Sequence, residues 1–186
     1  MLIFIKMKKK LSKEIEIPEN VEVTLNEDVL TAKGPLGEAS KKILLKKLNF
    51  QIKDNKILLS HEKATKREKK IMNTLESHIK NLVNGVVKKF EYKLKICFGH
   101  FPFTVKIENN VAIIKNFLGE KVDRKVKMPK DIEIEMDKEI ITIKSSNKEI
   151  AGQAAANLEA ATKIKGRDKR IFQDGIYITN KCGKEI

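Results

Sequence analysis

A chain that repeats itself at a fixed spacing is constrained to fold as two similar units, and this one repeats around a short turn. Lys33-Gly34-Pro35-Leu36-Gly37-Glu38 returns 82 residues later as Lys115-Asn116-Phe117-Leu118-Gly119-Glu120. Laid without gaps, Val21 to Glu38 over Phe103 to Glu120 gives six identities in eighteen positions. They are Val23/Val105, Val29/Val111, Lys33/Lys115, Leu36/Leu118, Gly37/Gly119 and Glu38/Glu120. The offset continues downstream with one inserted residue. Phe50 to Leu59 alternates around the polar turn Asp54-Asn55-Lys56, and Ile132 to Ile143 does so around Asp137-Lys138, so both predict β-hairpins. Each precedes a helical signal that opens as a capping box, Thr65 to Glu68 and Ser146 to Glu149.

The repeat divides the 186 residues into two α+β units. The expected organisation is a flexible basic N-terminus over 1–12, a first repeat over 13–89, a second over 90–178 with a basic C-terminal segment, and a tail over 179–186. No apolar run approaches the ~20 residues of a membrane helix. Leu2 to Ile5 falls short of the roughly 7–15 residues of a secretory signal core, so a soluble, cytoplasmic protein without membrane contact is expected. Met7 lies just inside this apolar start and is an alternative initiator to Met1. Cys97 and Cys182 form no CxxC pattern, which fits a reducing compartment.

Net charge is +14, and its distribution is uneven. Residues 1–89 hold 20 basic and 11 acidic groups, and residues 90–162 hold 12 and 11. Lys163 to Lys184 then carries seven basic groups against Asp168 and Asp174. A polyanion is the partner such a surplus suggests, because cations that neutralise phosphates release condensed counterions. Lysine excess also follows from genome composition or heat adaptation. Only four of the basic residues are Arg, and two of them, Arg167 and Arg170, fall in the C-terminal segment, which points to planar multi-donor contacts there. The concentrated charge predicts that cutting after Thr162 costs more RNA affinity than deleting Met1 to Lys10.

The two predicted helices differ. In the first, Ile71, Leu75, Ile79, Leu82, Val83, Val86, Val87 and Phe90 recur at three- and four-residue steps and form one apolar stripe over a sheet, with Gly85 either ending the helix or allowing close packing. The second, Glu149 to Ile164, is built of small side chains and reads as dense packing on its own sheet, while its Ser145 to Lys148 entrance offers backbone N–H groups to a phosphate. Catalytic chemistry is missing: His61, His78 and His100 are scattered, no metal-ligand spacing or cofactor motif occurs, and neither GxSxG nor a Walker loop is present. An enzyme is not expected.

Four stretches carry a family resemblance: Ile15 to Leu25 with the Thr31 to Glu38 segment that follows, Asn81 to Ile96, and Ala151 to Thr162. Over Ile15 to about Lys181 the chain resembles the universal large-subunit ribosomal protein six family, called nine in eukaryotes. His100 to Phe103, Asn116 to Lys121 and Asp174 to Tyr177 resemble its archaeal and eukaryotic branch, and the short Lys-rich form looks archaeal. The resemblance implies two tandem duplicated domains, each a small antiparallel β-sheet covered on one face by a helix. It also implies binding to large-subunit ribosomal RNA near the stalk base and sarcin-ricin loop, beside stalk-base proteins and docking translation factors, with no cofactor. Carried over residue by residue, RNA contacts fall on Ser145, Ser146, Lys148 and Gln153 at the helix entrance. Others fall on Lys163, Lys165, Gly166, Arg167, Lys169 and Arg170; Tyr177 and Lys181 are further candidate contacts beside them. Phe172 and Tyr177 either stack on bases or plug the sheet edge. A free-standing RNA-processing or chaperone factor, or a protein-interaction module, is the competing reading.

Overall fold

The computed structural model describes residues 9–43, 48–53 and 55–186. Two compact units divide between Lys88 and Lys89. In the first, β2 (Glu22–Asn26), β3 (Val29–Gly34) and β4 (Gly37–Lys42) form one antiparallel sheet in that order. β1 (Lys9–Glu16), β6 (Lys56–Ala64) and β5 (Asn49–Lys53) form a second, with Ile15 opposite Ile57. Alternation explains the pairing: Ile57 and Leu59 point inward and are buried, while Leu58 and Ser60, which alternate with them, are half-buried.

Helix α1 (Lys66–Val87) packs against strands of both sheets. Its buried stripe is Met72, Leu75, Ile79, Leu82, Val83 and Val86, with Ile71 half-buried at the margin. Val87 turns outward, and Phe90 begins the next strand. Gly85 neither ends nor breaks the helix, which runs two residues further and buries it. The predicted capping box forms: Thr65 Oγ1 accepts from the Arg67 amide, and Glu68 accepts from the Thr65 amide at 2.8 Å.

Close approach fixes Gly34. A Cβ there would lie 2.9 Å from both Cγ2 and the carbonyl oxygen of buried Val86, whose carbonyl also accepts from the Leu36 amide at 3.0 Å. Backbone cannot yield as a flexible side chain can, so Gly34→Ala should destabilise the first unit by about 1–3 kcal/mol. Urea unfolding of the full chain checks this, with Gly99→Ala, where a Cβ meets nothing within 4 Å, as the neutral control.

The second unit repeats the order. β7 (Phe90–Cys97) corresponds to β1; β8 (Thr104–Glu108), β9 (Val111–Lys115) and β10 (Arg124–Lys127) form a three-stranded sheet in the order β10-β9-β8. β11 (Glu133–Asp137) and β12 (Ile140–Ser145) precede α2 (Lys148–Ala161), and β13 (Gly175–Lys181) and β14 (Lys184–Glu185) are additions. The larger sheet runs β11-β12-β7-β13-β14, extending the β5-β6-β1 arrangement of the first unit. Ala151, Ala154, Ala155 and Leu158 of α2 are fully buried against it, the dense packing expected of small side chains.

The copies depart from one another locally. Glu38-side pairing in the first unit begins at once, Gly34 opposite Gly37. In the second, Phe117–Gly119 forms a 3-10 turn and β10 starts only at Arg124. Phe117, standing where the first copy has Pro35, is buried edge-on against Phe103 (5.2 Å, 80°) and pulls the turn into the core. The following hairpins turn at Lys53/Lys56 and Asp137/Ile140, an offset of 84, two residues beyond that of the first turn rather than one; Asp54 of the expected turn lies outside the described residues.

Three boundaries also change. The N-cap of α2 is Asn147, not Ser146, and no capping box forms, because the Asn147 side-chain oxygen Oδ1 takes the Glu149 and Ile150 amides itself. Residues 9–12, expected in a flexible terminus, open β1, where alternating Leu11 and Ile15 face the core; residues 1–8 lie outside the described set. Residues 179–181, expected in a tail, continue β13; the register shifts at Thr179, and Asn180 and Lys181 pair with Lys93 and Tyr92 of β7.

Candidate nucleic-acid interface

The structure divides the sequence-predicted site between the two ends of α2, roughly 20 Å apart for fourteen residues at about 1.5 Å rise. At the entrance end, Ser145 is only 3% exposed. Its hydroxyl donates to the Asp131 carbonyl (2.8 Å) and accepts from the Asn147 amide (3.2 Å), so it shapes the entrance and presents nothing outward. Ser146 and Lys148 are half-buried, and the Lys148 ammonium lies 5.8 Å from the Phe90 ring centroid. Gln153 is exposed one turn on and donates to Asn157 at 2.7 Å. Register brings Lys181 to this end too: it pairs with Tyr92, while Ser145 pairs with Phe90. Of the entrance amides, those of Glu149 and Ile150 are already taken by the Asn147 side chain.

The other end is where cations gather. α2 closes through buried Thr162, whose hydroxyl accepts from the Ile176 amide (2.9 Å) and donates to the Glu159 carbonyl, tying helix to β13. Arg124 adds a donor to the Ala161 carbonyl at 2.6 Å, satisfying an end-of-helix acceptor. From this anchor the loop runs outward: Lys163, Lys165, Gly166, Arg167, Lys169 and Arg170 are all exposed, and only Ile164 dips back into the core. Gly166 adopts φ +69°, a left-handed turn that glycine takes without strain. The arginines have local roles that their identity alone did not reveal. Arg170 grips Asp168 through Nε and NH2 (2.8 Å for the latter), which holds the Asp168 carboxyl below its ordinary range. The Arg167 guanidinium lies 4.9 Å from the Phe172 ring centroid.

Phe172 in turn stacks on His100 (4.5 Å, 26°), and His100 Nδ1 meets Asp174 at 2.7 Å. Asp174 is 1% exposed and also accepts from the Gly99 and His100 amides at 2.6 and 2.9 Å. Burial pushes its carboxyl up, but the amides of His100 and Gly99 and the His100 ring outweigh that and hold it at about 2. Sequence reading counted His100 among scattered histidines and Asp174 among the acids of the C-terminal segment, and quoted both as carriers of family resemblance, without pairing them. Their partnership spans 74 residues, and no periodicity links them. Tyr177 is exposed on β13, opposite Lys95. Among the described residues no group of three or more His, Cys, Asp or Glu could hold a metal, and no helix is long and apolar enough to cross a membrane.

Comparison with known proteins bears on the two units and their family. The sequence model described as ribosomal protein L6 matches twice, over residues 17–89 and 101–175, one match per unit. The chain is 44% identical to large ribosomal subunit protein uL6 of Methanobrevibacter smithii, covering 92% of this chain and 96% of that one. It is 42% identical to uL6 of Methanosarcina mazei over 95% of this chain and 100% of the relative. With uL6 of Nanoarchaeum equitans identity is 42%, over 93% and 94%. Tandem matches that coincide with the two folded units, and identity at this level along nearly the whole length, make the chain a member of the ribosomal protein L6 family, of archaeal type.

Proposed function

We propose that the chain is a structural constituent of the large ribosomal subunit that binds large-subunit ribosomal RNA near the stalk base and the sarcin-ricin region. It works in the cytoplasmic ribosome by binding rather than turnover, since its family consists of ribosomal proteins and not enzymes. The observation that carries the reading is the outward loop Lys163–Arg170, in which five cations stand on a rigid anchor of helix and sheet. Point charges at Lys163, Lys165 and Lys169 neutralise phosphates, and Arg167 and Arg170 add planar donors. Gly166 lets backbone approach. Paired RNA offers a shallow groove and phosphates, so this loop reads shape rather than sequence.

Ser146, Lys148, Gln153 and Lys181 make a second, weaker set of contacts at the entrance end, with Ser145 holding the backbone there. Stalk-base proteins are the neighbours, and translation factors dock nearby. Sedimentation tests the assignment: the protein should remain with large subunits through a high-salt wash. Release by salt would favour a free-standing RNA-processing or chaperone factor. Chemical footprinting should then find protections in the stalk-base and sarcin-ricin segments, and protections confined elsewhere would overturn the location.

A further inference from the structure

Beside the basic loop lies an open hollow of about 670 Å³ that neither the fold nor the loop requires. Phe98, His100, Ile171, Asp174 and Tyr177 are among its walls. Three of the apolar walls face solvent, Phe98 at 45%, Ile171 at 64% and Tyr177 at 41% exposure. Single exposed apolar residues are ordinary, but three lining one concavity mark a binding surface. The hollow is also held open. Asp174 fixes the backbone at Gly99 and His100, and the His100 ring is backed by Phe172 with Arg167 above it.

We infer that this hollow receives one unpaired nucleobase of the bound RNA, stacked on the Phe98 and Tyr177 side, while the flanking phosphates lie on the cationic loop. The inference rests on the RNA-binding reading above. Charge decides between a base and an apolar protein side chain. Arg167 reaches the wall through Phe172 and His100, and exposed Lys95 sits opposite Tyr177 in the ladder. Of the acids nearby, Asp174 is buried, Asp168 is gripped by Arg170, and Glu159 of α2 is exposed near Tyr177, so the exposed cations Lys95, Arg167 and those of the loop outnumber the free acids. Aromatic walls rimmed by cations match a base with its phosphates, because every base has a π-face and every link a negative charge.

Gly175 supplies a way to disturb the wall without deleting it. A Cβ on Gly175 would lie 3.3 Å from the Tyr177 ring, closer than ordinary contact, and the exposed ring would shift. The test uses the full chain and two RNAs, a duplex of about 20 base pairs and the same duplex with one unpaired adenosine. Fluorescence anisotropy should give a preference for the bulged RNA on the order of 10-fold. Phe98→Ala, Tyr177→Ala and Gly175→Ala should each cut that ratio to within about twofold, and Tyr177→Phe, which keeps the ring, should preserve it. Salt-dependent binding of both RNAs with equal affinity overturns the pocket and spares the basic-loop reading. A preference that survives Phe98→Ala also overturns the pocket. Absence of salt-dependent binding to either RNA overturns both readings.

Discussion

Replacing Lys163, Lys165, Arg167 and Lys169 together with Gln is expected to weaken binding to large-subunit RNA on the order of 100-fold near physiological salt. It should also flatten the log–log salt dependence by about 3 units, at roughly 0.7–0.9 per phosphate contact. All four side chains are exposed, so the fold should change little. The comparison is Lys66, Arg67, Lys69 and Lys70, an equally exposed group at the start of α1. Substituting those four removes the same charge, and its effect on the slope should stay below about one unit. Equal losses from both sets would remove the loop's special role. Lys at both Arg167 and Arg170 keeps the charge; the slope should hold within about one unit while affinity falls, because Lys has neither the fork nor the flat face. Truncation after Thr162 cannot serve as this test. It deletes β13 and with it buried Ile164, Asp174 and Ile176, so the second unit would lose core as well as charge.

Asp174→Ala is expected to cost the second unit about 3 kcal/mol. Its carboxylate satisfies two backbone amides and one imidazole nitrogen in a buried site, and Ala leaves the amides without that acceptor. The pH dependence has a definite sign. The folded carboxyl is held at about 2, below its ordinary 3.8, so its stabilisation is fully present above about pH 4 and is lost as pH falls from there through 2. A depression of this size corresponds to about 2 kcal/mol. Glu76, Glu120 and Glu133 are also held low by cations, so the quantity to measure is the difference between parent and Asp174→Asn. Urea midpoints at pH 6 should differ clearly between the two proteins and converge toward pH 2. A gap that stays constant with pH would mean that Asp174 acts through shape and not through charge.

The basic loop was legible because cations and a glycine are local in the chain, and nothing in the core displaces them. The hollow was not. His100 and Asp174 meet across 74 residues, and Phe98, which no sequence pattern singles out, stands half-exposed just past the end of β7. Contacts between distant segments leave no periodic trace. The entrance of α2 misled for a related reason. Ser146 and Glu149 have capping-box spacing, but Asn147 has the better-placed side-chain oxygen, and Ser145 is drawn inward by the Asp131 carbonyl.

The chain's sequence by itself determined that there are two units, most of the inward stripe of α1, and where positive charge collects. These follow from repeat spacing, periodicity and composition, all of which are properties of neighbouring residues. Tertiary structure alone decided what the repeated letters become. Leu-Gly-Glu opens a strand at Gly37, where Gly34 lies against Val86, and it closes a 3-10 turn at Gly119, where Phe117 is buried against Phe103. Tertiary structure also decided that the last residues join the larger sheet. Ile176 finds a buried place beside β7 only once that strand is in position, and its burial, about 2 kcal/mol, anchors β13 so that Asn180 and Lys181 beyond it pair with Lys93 and Tyr92.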